Sequence, residues 1–179
     1  MSEIRVDAIK TRAGAVPTAN DLGLNIIGTI VQVQSGQLDT QLTLNTNKTT
    51  KTDTGLSVTI TPKYSNSKLF VLSTGNTYSS VYNDNPLHYI IRTVSGTATS
   101  VAATDYITYN SSSSAGGIGG AYVQSVMDSA QSTAAHEYKI QIRSDTDGGA
   151  IYFNVNDTNN QGTSDEAQRS TIMVMEIAQ

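Results

Sequence analysis

The stretch Gly55-Leu-Ser-Val-Thr-Ile-Thr-Pro62 decides the fold class of this chain. Leu56, Val58 and Ile60 alternate with hydroxyl residues, as in a β-strand that buries one face. Pro62 ends the strand because proline has no N–H to donate to a β-ladder. A few residues later, Lys68-Leu-Phe-Val-Leu-Ser73 contains a continuous apolar run from Leu69 to Leu72, which predicts a strand that is covered on both faces.

Similar short runs, separated by turn residues, fill the chain from residue 26 onward. Residues 138–142 alternate cleanly, Asp145-Thr-Asp-Gly-Gly149 has the composition of a hairpin turn, and Thr171-Ile-Met-Val-Met-Glu-Ile177 is the last strand. Only residues 127–137 resemble a helix, and weakly. Roughly eight to ten strands of this kind predict an all-β protein, an antiparallel β-sandwich of jelly-roll type.

The composition narrows the classes of function. Charged residues make up only 15% of the 179 residues, and uncharged polar residues fill the gap, which fits β-surfaces and argues against a helical bundle or a metabolic enzyme. The net charge of -4 is scattered, so we expect no binding to nucleic acid or to an anionic membrane. The absence of cysteine excludes disulfides, thiol catalysis and cysteine-based zinc sites, and we expect no cofactor.

No targeting or membrane-spanning segment is visible in the sequence. The charges of Glu3, Arg5 and Asp7 exclude the apolar core of a signal peptide. The longest apolar runs, such as Leu69-Phe-Val-Leu72, are too short to cross a bilayer. We therefore expect synthesis in the cytoplasm of the producing cell and no membrane insertion.

Residues 1–25 differ from the rest of the chain. Ile4 and Val6 alternate with Arg5 and Asp7, as in a short half-buried strand, and residues 13–20 predict extended coil. A segment this thin cannot bury itself, so we predict an N-terminal attachment arm (1–25) followed by a β-sandwich head (26–179). The arm residues predicted to attach are Ile4, Arg5, Val6, Asp7, Ile9, Leu22 and Leu24.

The last strand is apolar on both faces. Ile172 and Val174 share one face, Met173, Met175 and Ile177 share the other, and only Glu176 interrupts the pattern. A sandwich strand needs one apolar face, so something must cover the second. Either another copy of the chain covers it, or the strand is central and lies under a loop. The first alternative predicts an oligomer interface formed by Ile172, Met173, Val174, Met175 and Ile177.

The templates of catalysis and metal binding are incomplete. His88 and His136 lie in unrelated stretches without the framing motif of a nucleophile-base pair. Gly116-Gly-Ile-Gly-Gly120 precedes a strand rather than a helix, which favours a loop tip over a phosphate loop. Asp145-Thr-Asp147-Gly148 lacks the glutamate that closes a calcium loop, so a hairpin turn is favoured and calcium is the minor alternative. The sequence therefore predicts no enzyme, no catalytic residues and no metal.

Nine tyrosines with no tryptophan are an unusual balance. Tyr78, Tyr82 and Tyr109 lie near predicted strand ends beside Ser-, Asn- and Gly-rich loops, a composition typical of recognition surfaces. These residues form a candidate receptor face, and the alternative for each is an ordinary strand tyrosine at the rim of the sandwich.

Several segments carry a resemblance to a known family: Ser2-Glu-Ile-Arg-Val-Asp-Ala-Ile-Lys10, Asp21-Leu-Gly-Leu-Asn25, Ser67-Lys-Leu-Phe-Val-Leu72 and Thr171-Ile-Met-Val-Met-Glu-Ile-Ala178. They resemble virion structural proteins of tailed bacteriophages, especially the tail-fibre-like and capsid-surface (decoration) proteins of marine phages. The resemblance implies a trimeric head of jelly-roll or tumour-necrosis-factor-like type and an arm that binds other virion proteins of the capsid or tail.

The same resemblance implies a short tail fibre, a spike or a capsid decoration in the virion, and no catalytic residues. At 179 residues the chain has no room for the long shaft of a full-length fibre. The alternative function is a receptor- or carbohydrate-binding module that contacts a glycan of the host surface.

Overall fold

Strands make up the regular secondary structure. The computed structural model describes residues 27–79, 84–104, 118–146, 150–154 and 169–179, and the predicted arm at 1–25 lies outside these residues. No helix in the described ranges is long and apolar enough to cross a membrane. The strands are β1 (Ile30–Leu38), β2 (Leu42–Asn45), β3 (Thr52–Ile60), β4 (Lys68–Ser79), β5 (Leu87–Val94), β6 (Thr97–Thr104), β7 (Ile118–Ser129), β8 (His136–Arg143), β9 (Ala150–Phe153) and β10 (Ser170–Ile177).

The first sheet is organised around β4. One edge of β4 pairs with β7 along its whole length. Strands β10 and β9 therefore share its other edge, β10 beside residues 68–74 and β9 beside residues 77–79. Strand β1 then pairs with β10, and β2 with β9. The sheet thus has the order β1-β10-β4-β7, in which β2 and β9 continue β1 and β10 end to end.

The second sheet has the order β3-β8-β5-β6, and all its pairings are antiparallel. The first sheet contains strands from both ends of the chain and the second contains β3, β5, β6 and β8, so several connections cross from one sheet to the other. Two packed antiparallel sheets of this order form a jelly roll. The predicted all-β, jelly-roll-type sandwich is confirmed.

The core lies between the two sheets. Leu56, Val58 and Ile60 are buried, and Ser57 and Thr59 between them are exposed, as the alternation predicts. The largest fully buried side chains that surround them come from both sheets: Leu69, Ile90, Tyr122, Tyr138, Ile140, Ile142, Ile151, Phe153 and Ile172.

Two residues set the path of the sheet edge formed by β1 and β2. A side chain at Gly36 would place its Cβ 2.0 Å from the carbonyl oxygen of Ser57, so glycine lets β1 cross close to β3. Asn154 donates its side-chain amide to the carbonyls of Leu38 (2.9 Å) and Thr40 (2.8 Å). These bonds hold the break between β1 and β2 against the end of β9.

Three features of the second half differ from the prediction. No pattern in the sequence predicted β6, yet Ser95 (φ 49°) and Gly96 (φ 82°) form a two-residue hairpin that returns the chain beside β5. The helix-like stretch at 127–137 is instead the end of β7, a bend, and the start of β8. Gly119 and Gly120, predicted in a loop tip, belong to β7 because they pair with Tyr78 and Thr77.

Candidate functional site

The outward-facing surface of the first sheet, called the outer face below, carries most of the large exposed apolar side chains in the described ranges. The registers place Val33, Met175, Phe70 and Met127 in one row across four strands. Val33 is 47% exposed and Met127 is 54% exposed, and the two residues between them are half-buried. This row is an apolar ridge open to solvent.

One neighbouring row, formed by Ser35, Met173, Leu72 and Ser125, is apolar at the centre and polar towards the sides. The other neighbouring row joins two isoleucines of β1 and β10 to Lys68 and Ser129. At one end of the face, Lys68 donates its ammonium to the hydroxyl of Ser129 at 2.8 Å. The outer face is therefore apolar with a largely uncharged rim, which is the pattern of a surface that packs against another protein.

The predicted interface residues of β10 divide between the two faces of the sheet. Ile172 and Val174 are fully buried in the sandwich core and are not accessible to a partner. Met173, Met175 and Ile177 point outward and are half-buried. The residues of β10 that a second copy of the chain could contact are therefore these three. That a second copy covers them stays a prediction.

A groove runs along the outer face between β1, β10 and β4. Its volume is about 360 Å³, and its lining includes Gln37, Leu72, Thr171 and Met173. Gly36 contributes no side chain to this groove, which leaves the floor open. The lining is mixed apolar and amide or hydroxyl, without any charged group, so the groove suits a side chain of a packed partner better than an ionic ligand.

Glu176, the one interruption in the last strand, points inward and is 0% exposed. Its carboxylate accepts hydrogen bonds from the backbone N–H groups of Lys63 (2.9 Å) and Tyr64 (3.0 Å). The Ser67 hydroxyl (2.8 Å) and the Gln32 side-chain amide (2.6 Å) donate as well. Burial alone raises the pKa of Glu176, but these donors outweigh it and lower the pKa below its ordinary value. The residue fastens the turn before β4 to the last strand.

His88 is buried without a hydrogen-bond partner. Its ring stacks on Tyr122 with centroids 4.3 Å apart, and neither ring nitrogen has a partner among the described residues. Burial lowers the pKa of His88 to about 3, against a smaller opposing effect of the Pro86 carbonyl. A neutral, inaccessible imidazole is a core side chain.

His136 is held by the backbone. Its Nδ1 lies 2.7 Å from the carbonyl oxygen of Ala134, and its Nε2 lies 2.7 Å from that of Ala130. A neutral ring has one N–H and can donate to only one of these carbonyls at a time. Both nitrogens thus face the bend between β7 and β8, so neither is positioned to act on a substrate.

The candidate receptor face is only partly described. Tyr78 is 3% exposed, and its ring lies 6.0 Å from that of Tyr152. This tyrosine is therefore packed against the protein and is not available as a contact residue. Tyr82 and Tyr109 lie outside the described residues.

The carboxylates at the calcium-like turn are engaged by local donors. Asp145 accepts from the backbone N–H of Asn85 (2.8 Å) and from its side-chain amide (2.9 Å). Buried Asp84 accepts from the hydroxyls of Ser79 and Ser144. No group of three His, Cys, Asp or Glu residues in the described ranges is placed to hold a metal ion. These bonds tie the end of β4 to the end of β8.

Comparison with known proteins finds solved structures that are only distantly similar to this chain. No family model and no curated protein matches the chain. Among solved structures, one similar chain is from "Structure of infectious bursal disease virus Gx strain", with 12% identity, a TM-score of 0.33, and 84% of this chain and 37% of that chain covered. Another is from "Crystal structure of infectious bursal disease virus VP2 subviral particle", with 14% identity, a TM-score of 0.32, and 98% and 42% covered.

A third similar chain is a pentameric capsid protein isolated from metagenomic phage sequences, with 15% identity, a TM-score of 0.23, and 89% of this chain and 82% of that chain covered. This chain spans about two fifths of the two infectious bursal disease virus chains. At these TM-scores the similarities carry no argument about function. The class that the strand order defines is an antiparallel jelly-roll sandwich, and the resemblance to tail-fibre-like phage proteins stays a prediction.

Proposed function

We propose that this protein is a non-enzymatic structural subunit of a bacteriophage particle, displayed on the particle surface as a short tail fibre, spike or capsid decoration. In this proposal it assembles as a homotrimer through the outer face, and residues 1–25 anchor it to other virion proteins. The observation that carries the proposal is the outer face itself. The sequence resemblance at both ends of the chain supplies the phage particle as its setting.

The outer face favours assembly for an energetic reason. A large apolar side chain gains about 1.5–3 kcal/mol when it passes from full exposure to full burial, and Met175 and Phe70, which are already half-buried, would gain a part of this. The row from Val33 to Met127 offers four such side chains side by side, and no charge has to be desolvated along it. A second copy that covers this face would gain that free energy, whereas a monomer leaves it in contact with water.

The histidines support a non-enzymatic role. General acid-base catalysis needs an accessible group whose pKa lies near the working pH. His88 is buried with its pKa lowered to about 3, and His136 is engaged by two backbone carbonyls. Neither residue is placed to serve a substrate.

The assembly claim is tested by the mass of the full chain in solution. Multi-angle light scattering at micromolar concentration should give a trimer, and Met175→Lys should shift it to monomer because the charge would be buried in the interface. Thr59→Lys, on an exposed position of β3 in the other sheet, is the matched control and should leave the mass unchanged. A monomeric wild-type protein would contradict the proposal.

The arm is tested separately on particles. A chain without residues 1–25 should keep the circular dichroism spectrum of a β-sandwich but should no longer copurify with virions. Normal incorporation of the truncated chain would refute the anchoring role and leave the assembly through the outer face untouched.

A further inference from the structure

The strands at the open edges of the two sheets differ in how regularly they pair with the neighbouring strand. Edge strands with unpaired backbone groups attract other strands, and extra residues that bulge the strand block this. Strand β1 gains an extra residue relative to β10 between Ile30 and Gln32. Strand β3 gains extra residues relative to β8 between Asp53 and Ser57, and β6 gains one relative to β5 opposite Ile90 and Ile91. These three edges are irregular.

Strand β7 is the regular edge. It pairs with β4 over all 12 residues without a register shift, and it contains no proline. Its single charged residue, Asp128, accepts hydrogen bonds from Arg92 and from the Tyr138 hydroxyl. Within the described ranges, the strand therefore lacks three of the usual protections of an exposed edge, since it has no bulge, no proline and no free charge.

The hydrogen-bond register identifies which groups of β7 are unpaired. The backbone N–H of Ala130, just past the strand, donates to the Ser67 carbonyl at 3.0 Å. Antiparallel ladders alternate, so the even-numbered residues of β7 bond to β4 and the odd-numbered ones turn their N–H and C=O to the open edge. Ser129, at the end of the strand, is the exception, because its N–H donates to the Asp128 carboxylate at 2.8 Å. The side chains on those open-edge residues are exposed: Ala121, Val123, Ser125 and Met127.

We propose that β7 pairs antiparallel with β7 of a second copy of this chain, with Ser125 opposite Ser125 on a two-fold axis. The open-edge groups belong to odd-numbered residues, so odd residues must lie opposite odd residues of the other copy, and among the registers that satisfy this, the one centred on Ser125 is selected by its apolar contacts. Centring the axis on Ser125 places Val123 (68% exposed) against Met127 (54% exposed) of the other copy, twice. This register pairs the two large exposed apolar side chains of the strand with each other.

A second copy fits this edge because the strand is complementary to itself. A two-fold interface uses the same patch on both subunits, so each contact is made twice. The outward row is uncharged from Ala121 to Ser129, so bringing two copies together opposes no like charges. The backbone pairing lies at the sheet edge, although the Met127 side chain also belongs to the outer face, so the contact goes beyond the proposed function and would join one oligomer to the next.

Cysteine cross-linking tests the register directly, since the natural chain contains no cysteine. Directly opposed residues in a hydrogen-bonded antiparallel pair have Cα atoms about 5.5 Å apart, within the range that a disulfide spans. Full-length Ser125→Cys should form a disulfide-linked dimer on mild oxidation. Ala121→Cys, which the proposed register places opposite Ser129, is the matched control and should stay uncross-linked. Equal cross-linking of the two variants, or none of Ser125→Cys, would overturn the proposal.

A proline variant tests the pairing without cysteine. Ser125→Pro removes an N–H that faces the open edge, so the β4–β7 ladder stays intact while strand addition is blocked. It should lower the mass in light scattering, whereas Ser125→Ala should not, and circular dichroism checks that both variants are folded. Equal masses for the folded Ser125→Pro and Ser125→Ala proteins would contradict the proposed pairing of β7. A Ser125→Cys cross-link that forms only after removal of residues 1–25 would also overturn it, because the arm would then be the occupant of this edge in the full chain.

Discussion

The hydrogen bonds to the buried carboxylate of Glu176 are the interactions whose contribution to the free energy of unfolding can be estimated most directly from the structure. Four groups donate to it, from Gln32, Lys63, Tyr64 and Ser67. A hydrogen bond to a charged acceptor contributes about 1.5–3 kcal/mol to the free energy of unfolding, and such values are not additive. Lys63 and Tyr64 are exposed, so water can replace the carboxylate at their N–H groups, whereas Ser67 is buried. We expect Glu176→Gln to lower the free energy of unfolding by about 2 kcal/mol at pH 7.

The pH dependence separates the charge from the shape of the side chain. The pKa of Glu176 in the folded protein lies below its ordinary value of 4.5. The stabilisation by its charge is therefore complete above the unfolded pKa and is lost as pH falls through the folded pKa. Because protonated glutamate resembles glutamine, the difference between wild type and Glu176→Gln should shrink below pH 4.5 and disappear at the lowest pH.

Urea denaturation followed by circular dichroism measures both effects. Glu137→Gln, on β8, is the control because its carboxylate is half-exposed, and its free energy of unfolding should change by less than about 0.5 kcal/mol. If Glu176→Gln lowers the free energy of unfolding no more than this control does, or by the same amount at pH 7 and pH 3, the stabilising role of the charge is refuted.

Three further changes probe other parts of the sandwich. The pKa of His88 falls from 6.5 unfolded to about 3 folded, so the unfolded state takes up the proton first. The free energy of unfolding should therefore fall by about 1.4 kcal/mol for each unit by which the pH is lowered between these two values, and His88→Phe should remove that slope in urea titrations at several pH values. Gly36→Ala should lower the free energy of unfolding by about 1–3 kcal/mol because its Cβ would meet the Ser57 carbonyl; a thermal midpoint equal to wild type would contradict this. Tyr138→Phe removes a 2.9 Å hydrogen bond to Asp128 and should lower the free energy of unfolding by about 1 kcal/mol in the same denaturation assay. An unchanged free energy of unfolding would show that this bond does not stabilise the fold.

The alternation of apolar and polar residues was enough to predict the sandwich. Leu56, Val58 and Ile60 are buried as their spacing requires, and residues 138–142 behave likewise. Strand β6 escaped prediction because its first four residues are exposed and its sequence has no apolar period. Its position depends on the hairpin at Ser95 and Gly96, where a non-glycine residue adopts positive φ because the strands on both sides pair.

The candidate interface on β10 was likewise predicted from the sequence only in part. The sequence identified β10 as apolar on both faces, but two apolar faces look alike in a sequence. Only the pairing with β1 and β4 assigns Ile172 and Val174 to the core and Met173 and Met175 to the outer face. The position of Glu176 as a buried acceptor was also beyond the sequence, because its donors lie more than 100 residues away in the chain.

By itself the sequence determined that this protein is all-β, has no cysteine chemistry, and buries one face of most strands. These properties follow from local period and composition, which act between neighbours in the chain. The tertiary structure alone decided which strands form edges, which edge is regular, and which apolar rows line up across four strands. Register and edge position arise from contacts between distant segments, and a linear pattern does not contain them.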